Sequence, residues 1–276
     1  MCSVSLGAWL ISGLSINTCY ERTFKECRQL QFSSCLFHAI LCLVEMCDVI
    51  PEGTMSERIV FNDLRVDVTA EDIAPRFGKR AAKLDLDGYA AVLREVARPK
   101  AILRWADSEV IDDRHVNIAG HVFESFVVAD KLKDVHRVIL YVATAGNEIK
   151  DCDRIHPEAA KDILSGIALM KGNREVRRYL SEDMGMTGLG ALNPGSLPDW
   201  PIENNHALCD LIGDVGEIGV TLNEKGYMLP WNSSSGILFP GADGYMNCSL
   251  CTKLDCIGRR APFNKDEYIR LFRKNN

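Results

Sequence analysis

No stretch of the sequence is long and apolar enough to suggest a membrane span. Met1–Ile16 is apolar and carries no Lys or Arg, and Cys35–Val44 is a second apolar run, but neither reaches the ~18 residues a span needs. A basic excess is missing as well: 32 Lys+Arg stand against 38 Asp+Glu, a net charge of −6. Without a net positive field to hold phosphate backbones, a general nucleic-acid binder is excluded. There is no Walker loop, serine-hydrolase elbow, His-Glu-x-x-His pair or kinase signature, so these reactions have no visible machinery. The six histidines are scattered, and none is assigned a catalytic role. Gly146 follows an apolar run, but a single glycine makes a turn and not a phosphate cradle.

What is present is an ordinary globular balance, 47% hydrophobic and 25% charged, which rules out collagen-like and wholly disordered chains. Cysteine is distributed unevenly, with six of eleven before Met55. That leading segment holds 3 Lys+Arg and 5 Asp+Glu, leaving 29 and 33 for Met55–Asn276, a net of −4. Its apolar start has no basic n-region of the secretory kind. Its cysteines show no Cys-x2-Cys clip, although a disulfide framework remains conceivable. Residues 1–54 are therefore expected to be a non-native or disordered extension that contributes nothing to a site, with the working domain at 55–276 in the cytoplasm.

The domain mixes strands and helices without regular alternation, which predicts an α+β fold. Expected strands are Ile59–Val68, Ala101–Trp105, a segment near Val116–Val122 broken by Gly120, Val135–Ala143, and Ile218–Leu222. Expected helices are Asp85–Ala97, Glu124–Lys133 and a long one from Pro157 to about Leu180.

Three segments carry candidate chemistry. Leu192–Pro201 holds three prolines and one glycine, which makes it stiff; it reads either as a rigid connector or as a loop facing a ligand. Within it, Asp199 is placed to cap the helix that follows. Tyr227–Gly236 contains Met228, Trp231 and a triple serine, and serves either as a turn between strands or as an apolar floor with hydroxyl donors. The third segment is Cys248-x2-Cys251-x4-Cys256, followed by Arg259 and Arg260. Three thiolates at this spacing suit an iron–sulfur cluster or zinc, and nearby arginines would keep them deprotonated. Reduced thiols with no metal remain the bland alternative. A fourth ligand could come from Asp255, Cys209, His206 or a molecule from outside the chain.

The order of Leu192-Asn-Pro-Gly-Ser-Leu-Pro-Asp-Trp-Pro-Ile, Ile218-Gly-Val-Thr-Leu, Met228-Leu-Pro and Ser233-Ser-Ser-Gly-Ile resembles the activation domain of cobalamin-dependent methionine synthase. It resembles more closely the stand-alone members from anaerobic bacteria that end in a Cys-x2-Cys-x4-Cys motif. The likeness runs from about Val138 to Pro262 and is weaker back to Met55.

The resemblance implies a twisted antiparallel sheet with flanking helices. It also implies an accessory or reactivation role in a corrinoid-dependent methyltransferase system, with a corrinoid protein as partner. Asn193, Pro194, Gly195, Ser196 and Asp199, with Ser233, Ser234 and Ser235, would face the partner's cobalamin or S-adenosylmethionine. Cys248, Cys251 and Cys256 would hold an iron–sulfur centre that delivers an electron; the alternative is a non-catalytic binding module with structural zinc. The family's S-adenosylmethionine loop reads Arg-x-x-x-Gly-Tyr-Pro. Here Gly195 is kept, but Ala191, Ser196 and Leu197 replace the arginine, tyrosine and proline. Losing that arginine removes a bidentate partner for the ligand's carboxylate and argues against S-adenosylmethionine. Homocysteine, folate and cobalamin modules are not seen in these residues, so complete methionine synthesis is not expected of them.

Overall fold

The protein is described by a computed structural model over residues 58–241, 245–256 and 259–273. The chain divides at Met55/Ser56, and every described residue lies in the second unit. The expectations for residues 1–54 fall outside the described residues.

A seven-stranded antiparallel sheet organises the domain. Its strands are β1 (Arg58–Phe61), β2 (Lys100–Val110), β3 (His115–Ile118), β4 (His121–Glu124), β5 (Arg137–Thr144), β6 (Gly190–Leu192) and β9 (Ser233–Phe239). Between the last two in sequence comes a small separate ribbon of β7 (Thr221–Leu222) and β8 (Met228–Leu229). The order across the large sheet is β4-β3-β2-β5-β9-β6, with β1 added against β2. β5 is central and buried along nearly its whole length, as its run of Val138, Ile139, Leu140, Tyr141 and Val142 requires.

Strand residues alternate between the two faces. Val138, Leu140 and Val142 join Ile102, Ile237 and Phe239 on one face. There they pack under α3 (Phe126–Lys131) and α5 (Asn205–Ile212) through Val127, Val128, Leu208 and Ile212. Ile139, Tyr141 and Ala143 join Leu103 and Leu238 on the other face, covered by Val176 and Leu180 of the long helix α4 (Glu158–Glu182). The first half of α4 packs with α1 (Ala70–Phe77) and α2 (Leu86–Val96) around Ile73, Leu93 and Leu164. The expected α+β architecture with a twisted antiparallel sheet and flanking helices is therefore what forms.

Three local expectations change. The alternation from Ile59 to Val68 persists as burial of Leu64, Val66 and Val68, but pairing ends at Phe61. The neighbouring strand β2 starts at Lys100 and is preceded by Pro99, which has no N–H to give; Leu64 N–H donates to the Pro99 carbonyl instead (2.9 Å). Ile218–Leu222 is not one strand. A 3-10 turn occupies Val215–Ile218, opened by the Asp214 carboxylate accepting from Gly216 N–H, and Gly219 leaves it in the left-handed region (φ 77°). Asp199 does not cap the segment that follows it. Its carboxylate accepts from Ser125 Oγ (2.9 Å) and Val127 N–H (3.2 Å), so it satisfies the N-terminus of α3 from across the fold.

The last described element, α6 (Lys265–Arg273), is tied to α3 by charge. Arg270 grips Asp130 with both terminal nitrogens (3.0 and 2.9 Å), and Lys131 pairs with Glu267. The Arg270 hydrogen bonds hold the Asp130 carboxyl below its ordinary value, with Lys131 and Lys133 adding to them against the opposing effect of burial. A depressed folded-state value stabilises above the unfolded pKa of roughly 3.9, and that stability is lost as pH falls through the folded value. Asp130→Asn should therefore lower stability by about 1 kcal/mol at pH 7, the figure being modest because Arg270 is half exposed. Thermal unfolding between pH 6 and 2 should show the variant converging on the parent below about pH 4.

Candidate functional site

The proline-rich loop after β6 is anchored from below. Trp200 is fully buried and meets Phe123 edge-to-face, with ring centroids 5.8 Å apart, and Leu197 is buried beside it. Gly195 N–H donates to the Trp200 carbonyl (2.8 Å), and Gly195 takes a φ of 74° that a side chain would resist. The anchored loop turns Pro194 and Ser196 toward a cleft of about 300 Å³, which Asn193 also lines.

Asn193 ties this loop to the sheet. Its amide nitrogen donates to Tyr141 Oη on β5 and to the Ser235 carbonyl on β9, each at 2.6 Å. The approach is possible because residue 236 is glycine. A Cβ there would sit 2.2 Å from the Leu192 carbonyl oxygen and 2.6 Å from the Asn193 amide nitrogen.

The triple serine forms the facing wall. Ser235 is buried with its Oγ 2.5 Å from Asn205 Oδ1, while Asn205 donates to the Gly226 carbonyl (2.9 Å). Ser234 accepts from the Asn173 amide of α4 (3.1 Å). Ser233 lies within hydrogen-bond reach of the Pro230 carbonyl (2.7 Å) and the Thr144 hydroxyl (2.9 Å). The two serine- and proline-bearing segments, apart in sequence, thus face one another across a single cleft. Gly195 and Asp199 do not line it: Gly195 shapes the turn, and Asp199 is engaged at α3.

Met228 lines the cleft, but Trp231 does not share that floor. It stands 67% exposed beside Tyr227 (42%) and Leu229 (39%), with its ring 5.9 Å from that of Tyr227. Trp231 borders a neighbouring hollow of about 360 Å³ with Gly146, Lys150 and Asn232. The ribbon pairing ends at Leu229, and Trp231 lies in the bend that leads from it into β9.

The cysteine loop closes the far end. Cys248, Cys251 and Cys256 are free, half-buried thiols. Arg259 does not sit over the sulfurs; it donates to the carbonyls of Cys248, Cys251, Lys253 and Ala261, holding the loop's shape from within. The Arg260 N–H points to Cys248 Sγ (3.4 Å). Asn247, just before the motif, accepts from Asn193 N–H (2.6 Å) and donates to the Ala191 carbonyl (2.9 Å) in its better amide orientation. Cysteine loop and cleft are therefore joined directly.

Three thiols within nine residues are the right donors for a thiophilic metal. Among the described residues, however, no three His, Cys, Asp or Glu side chains are gathered to hold one. Of the suggested fourth ligands, Asp255 and His206 are exposed. Cys209 lies in the core, where burial, with the Asp210 charge adding, pushes its thiol up to about 12. It remains protonated near neutrality and is a packing residue.

Sequence reasoning missed Tyr141, Asn173, Arg177 and Asn205 as cleft residues. One signal for them existed: Asn173 and Arg177 are four apart on a helix, so they share a face.

No protein-family model matches the chain, and no curated protein matches it. Among solved structures it is similar to one described as "Crystal Structure of the MetH Reactivation Domain bound to AdoHcy". The TM-score is 0.46 at 16% identity, over 72% of this chain and 78% of that chain. Among the described residues no helix is long and apolar enough to cross a membrane.

Gly236→Ala should destabilise the domain by about 2 kcal/mol or more, because the methyl group meets backbone that cannot yield cheaply. Urea unfolding measures the loss, and hydrogen exchange should locate the loosened amides in 191–196 rather than at the distant β3–β4 end.

Proposed function

We propose that the chain is an accessory protein of a corrinoid-dependent methyltransferase system, related in role to the methionine synthase activation domain. One observation carries the reading. Two of the motif segments on which the family resemblance rests supply facing walls of one cleft, the first through Asn193, Pro194 and Ser196 and the second through Ser233, Ser234 and Ser235. Its lining of amides and hydroxyls suits a ligand edged with amides or bearing a polar head, and Val176, Ile202 and Leu238 add apolar floor. The exposed Tyr227, Leu229 and Trp231 form an aromatic patch beside it, of the kind that anchors a partner protein. In this reading the patch meets the corrinoid protein in the cytoplasm. The cleft meanwhile takes either the edge of the partner's cobalamin or a small ligand of the AdoHcy class named for the structural neighbour.

Electron delivery through Cys248, Cys251 and Cys256 is a separable part of the proposal and needs a redox metal on those thiols. Iron and sulfide in anaerobically purified protein would add it to the role. Stoichiometric zinc would make the loop a structural clip in a non-catalytic module, and absence of both would leave docking alone.

Binding of the cobalamin-bearing module of methionine synthase, loaded with cob(II)alamin, tests the central reading by tryptophan fluorescence. Saturable binding is expected, weakened at least tenfold in Trp231→Ala. No binding, or equal binding by parent and variant, contradicts it.

A further inference from the structure

Two guanidinium groups border the cleft. Arg177 comes from α4 and is half-buried; Arg260 comes from the end of the cysteine loop and is exposed. No aspartate or glutamate lines the cleft with them. Among the described residues, Arg177 makes one hydrogen bond, from Nη1 to the Leu189 carbonyl (2.9 Å), and neither arginine forms an ion pair with a carboxylate. Burial works against the charge on Arg177, the neighbouring Arg260 charge adds to that penalty, and only Tyr141 offsets it in part. Two like charges left together in a partly desolvated cleft are poised to bind an anion. Guanidinium groups offer paired N–H donors that match a carboxylate's two oxygens.

We propose that Arg177 and Arg260 form a carboxylate-holding site in the cleft, taking the task of the arginine missing at Ala191. It rests on the reading of this cleft as a ligand site and names the ligand class: a molecule with an amino-acid carboxylate at one end and, beyond that end, an uncharged, hydrogen-bonding body. The body would lie along Asn173, Asn193 and Ser234, with Val176 and Leu238 beneath. AdoHcy and S-adenosylmethionine share the α-ammonium beside the carboxylate, and a lining without carboxylates disfavours the second, fixed positive charge of a sulfonium. The thioether AdoHcy should therefore bind more tightly than the sulfonium S-adenosylmethionine. Because Arg260 is attached to the cysteine loop through its N–H to Cys248 Sγ, the loop itself supplies half of the site.

Isothermal titration of the full chain with AdoHcy, S-adenosylmethionine and adenosine tests this. AdoHcy should bind at least tenfold more tightly than adenosine, which lacks the carboxylate, and several-fold more tightly than S-adenosylmethionine. Arg260→Gln, at an exposed position where folding is not at stake, and Arg177→Gln should each lose about tenfold or more for AdoHcy and leave adenosine unchanged. Equal affinity for AdoHcy and adenosine, or unchanged variants, would overturn the proposal while leaving the cleft a nucleoside site. If no nucleoside binds, millimolar citrate decides. A rise in melting temperature in the parent that is absent from Arg260→Gln upholds the carboxylate site and sinks the nucleoside reading. No rise in either overturns the carboxylate site.

Discussion

The cleft depends on how closely the Leu192–Asn193 backbone can lie over β9, and Gly236 sets that distance. With a side chain at 236, Asn193 could not reach both Tyr141 and the Ser235 carbonyl. These contacts join residues 52 and 42 positions apart, so one amide links the end of β6 to the two neighbouring strands of the sheet centre. Asn247 adds a fourth segment by accepting from Asn193 N–H and donating to the Ala191 carbonyl. A partly buried amide satisfied on this many sides is rigid, since each partner lost would leave a polar group costly to bury. Everything that faces the cleft from the proline-rich loop takes its position from this joint.

Below the joint, the packing is conventional. β5 divides the apolar side chains between two faces, and α4 covers one while α3 and α5 cover the other. Asp199, in the same proline-rich stretch as the joint, caps α3 and so ties the cleft's rim to the far layer. Arg259 plays the comparable part in the cysteine loop, where one guanidinium satisfies four carbonyls. The loop's conformation is thus set by hydrogen bonds of the chain itself.

Much of the layout could be read from the residues because it is local. The apolar run of β5, the stripe of Leu86–Val96 with Asp85 accepting from Gly88 N–H, and the long helix beginning after Pro157 all carry their signals within a few turns. The stiffness of 192–201 and the serine triplet are likewise visible in the residues, but that the two segments face one cleft is not. What could not be read depended on distant partners. Nothing near Val68 announces that Pro99 ends the ladder, and nothing near Asp199 shows that its carboxylate serves α3. Arg177 lies on a helix whose polar residues look solvated until α4 is laid across the sheet, and Arg260 reads as a companion of the thiols until Asn247 brings that loop against Asn193. Of the two readings left open for Tyr227–Gly236, the apolar floor holds for Met228 and not for Trp231, which lies exposed between the β7–β8 ribbon and β9.

Hydrogen–deuterium exchange of the full chain with and without AdoHcy tests most directly whether this cleft is the working site. The account predicts slower exchange in 191–197, in 233–236 and around Arg260, with the β3–β4 edge unchanged. Protection confined to the β7–β8 ribbon, or none anywhere at saturating ligand, would contradict it.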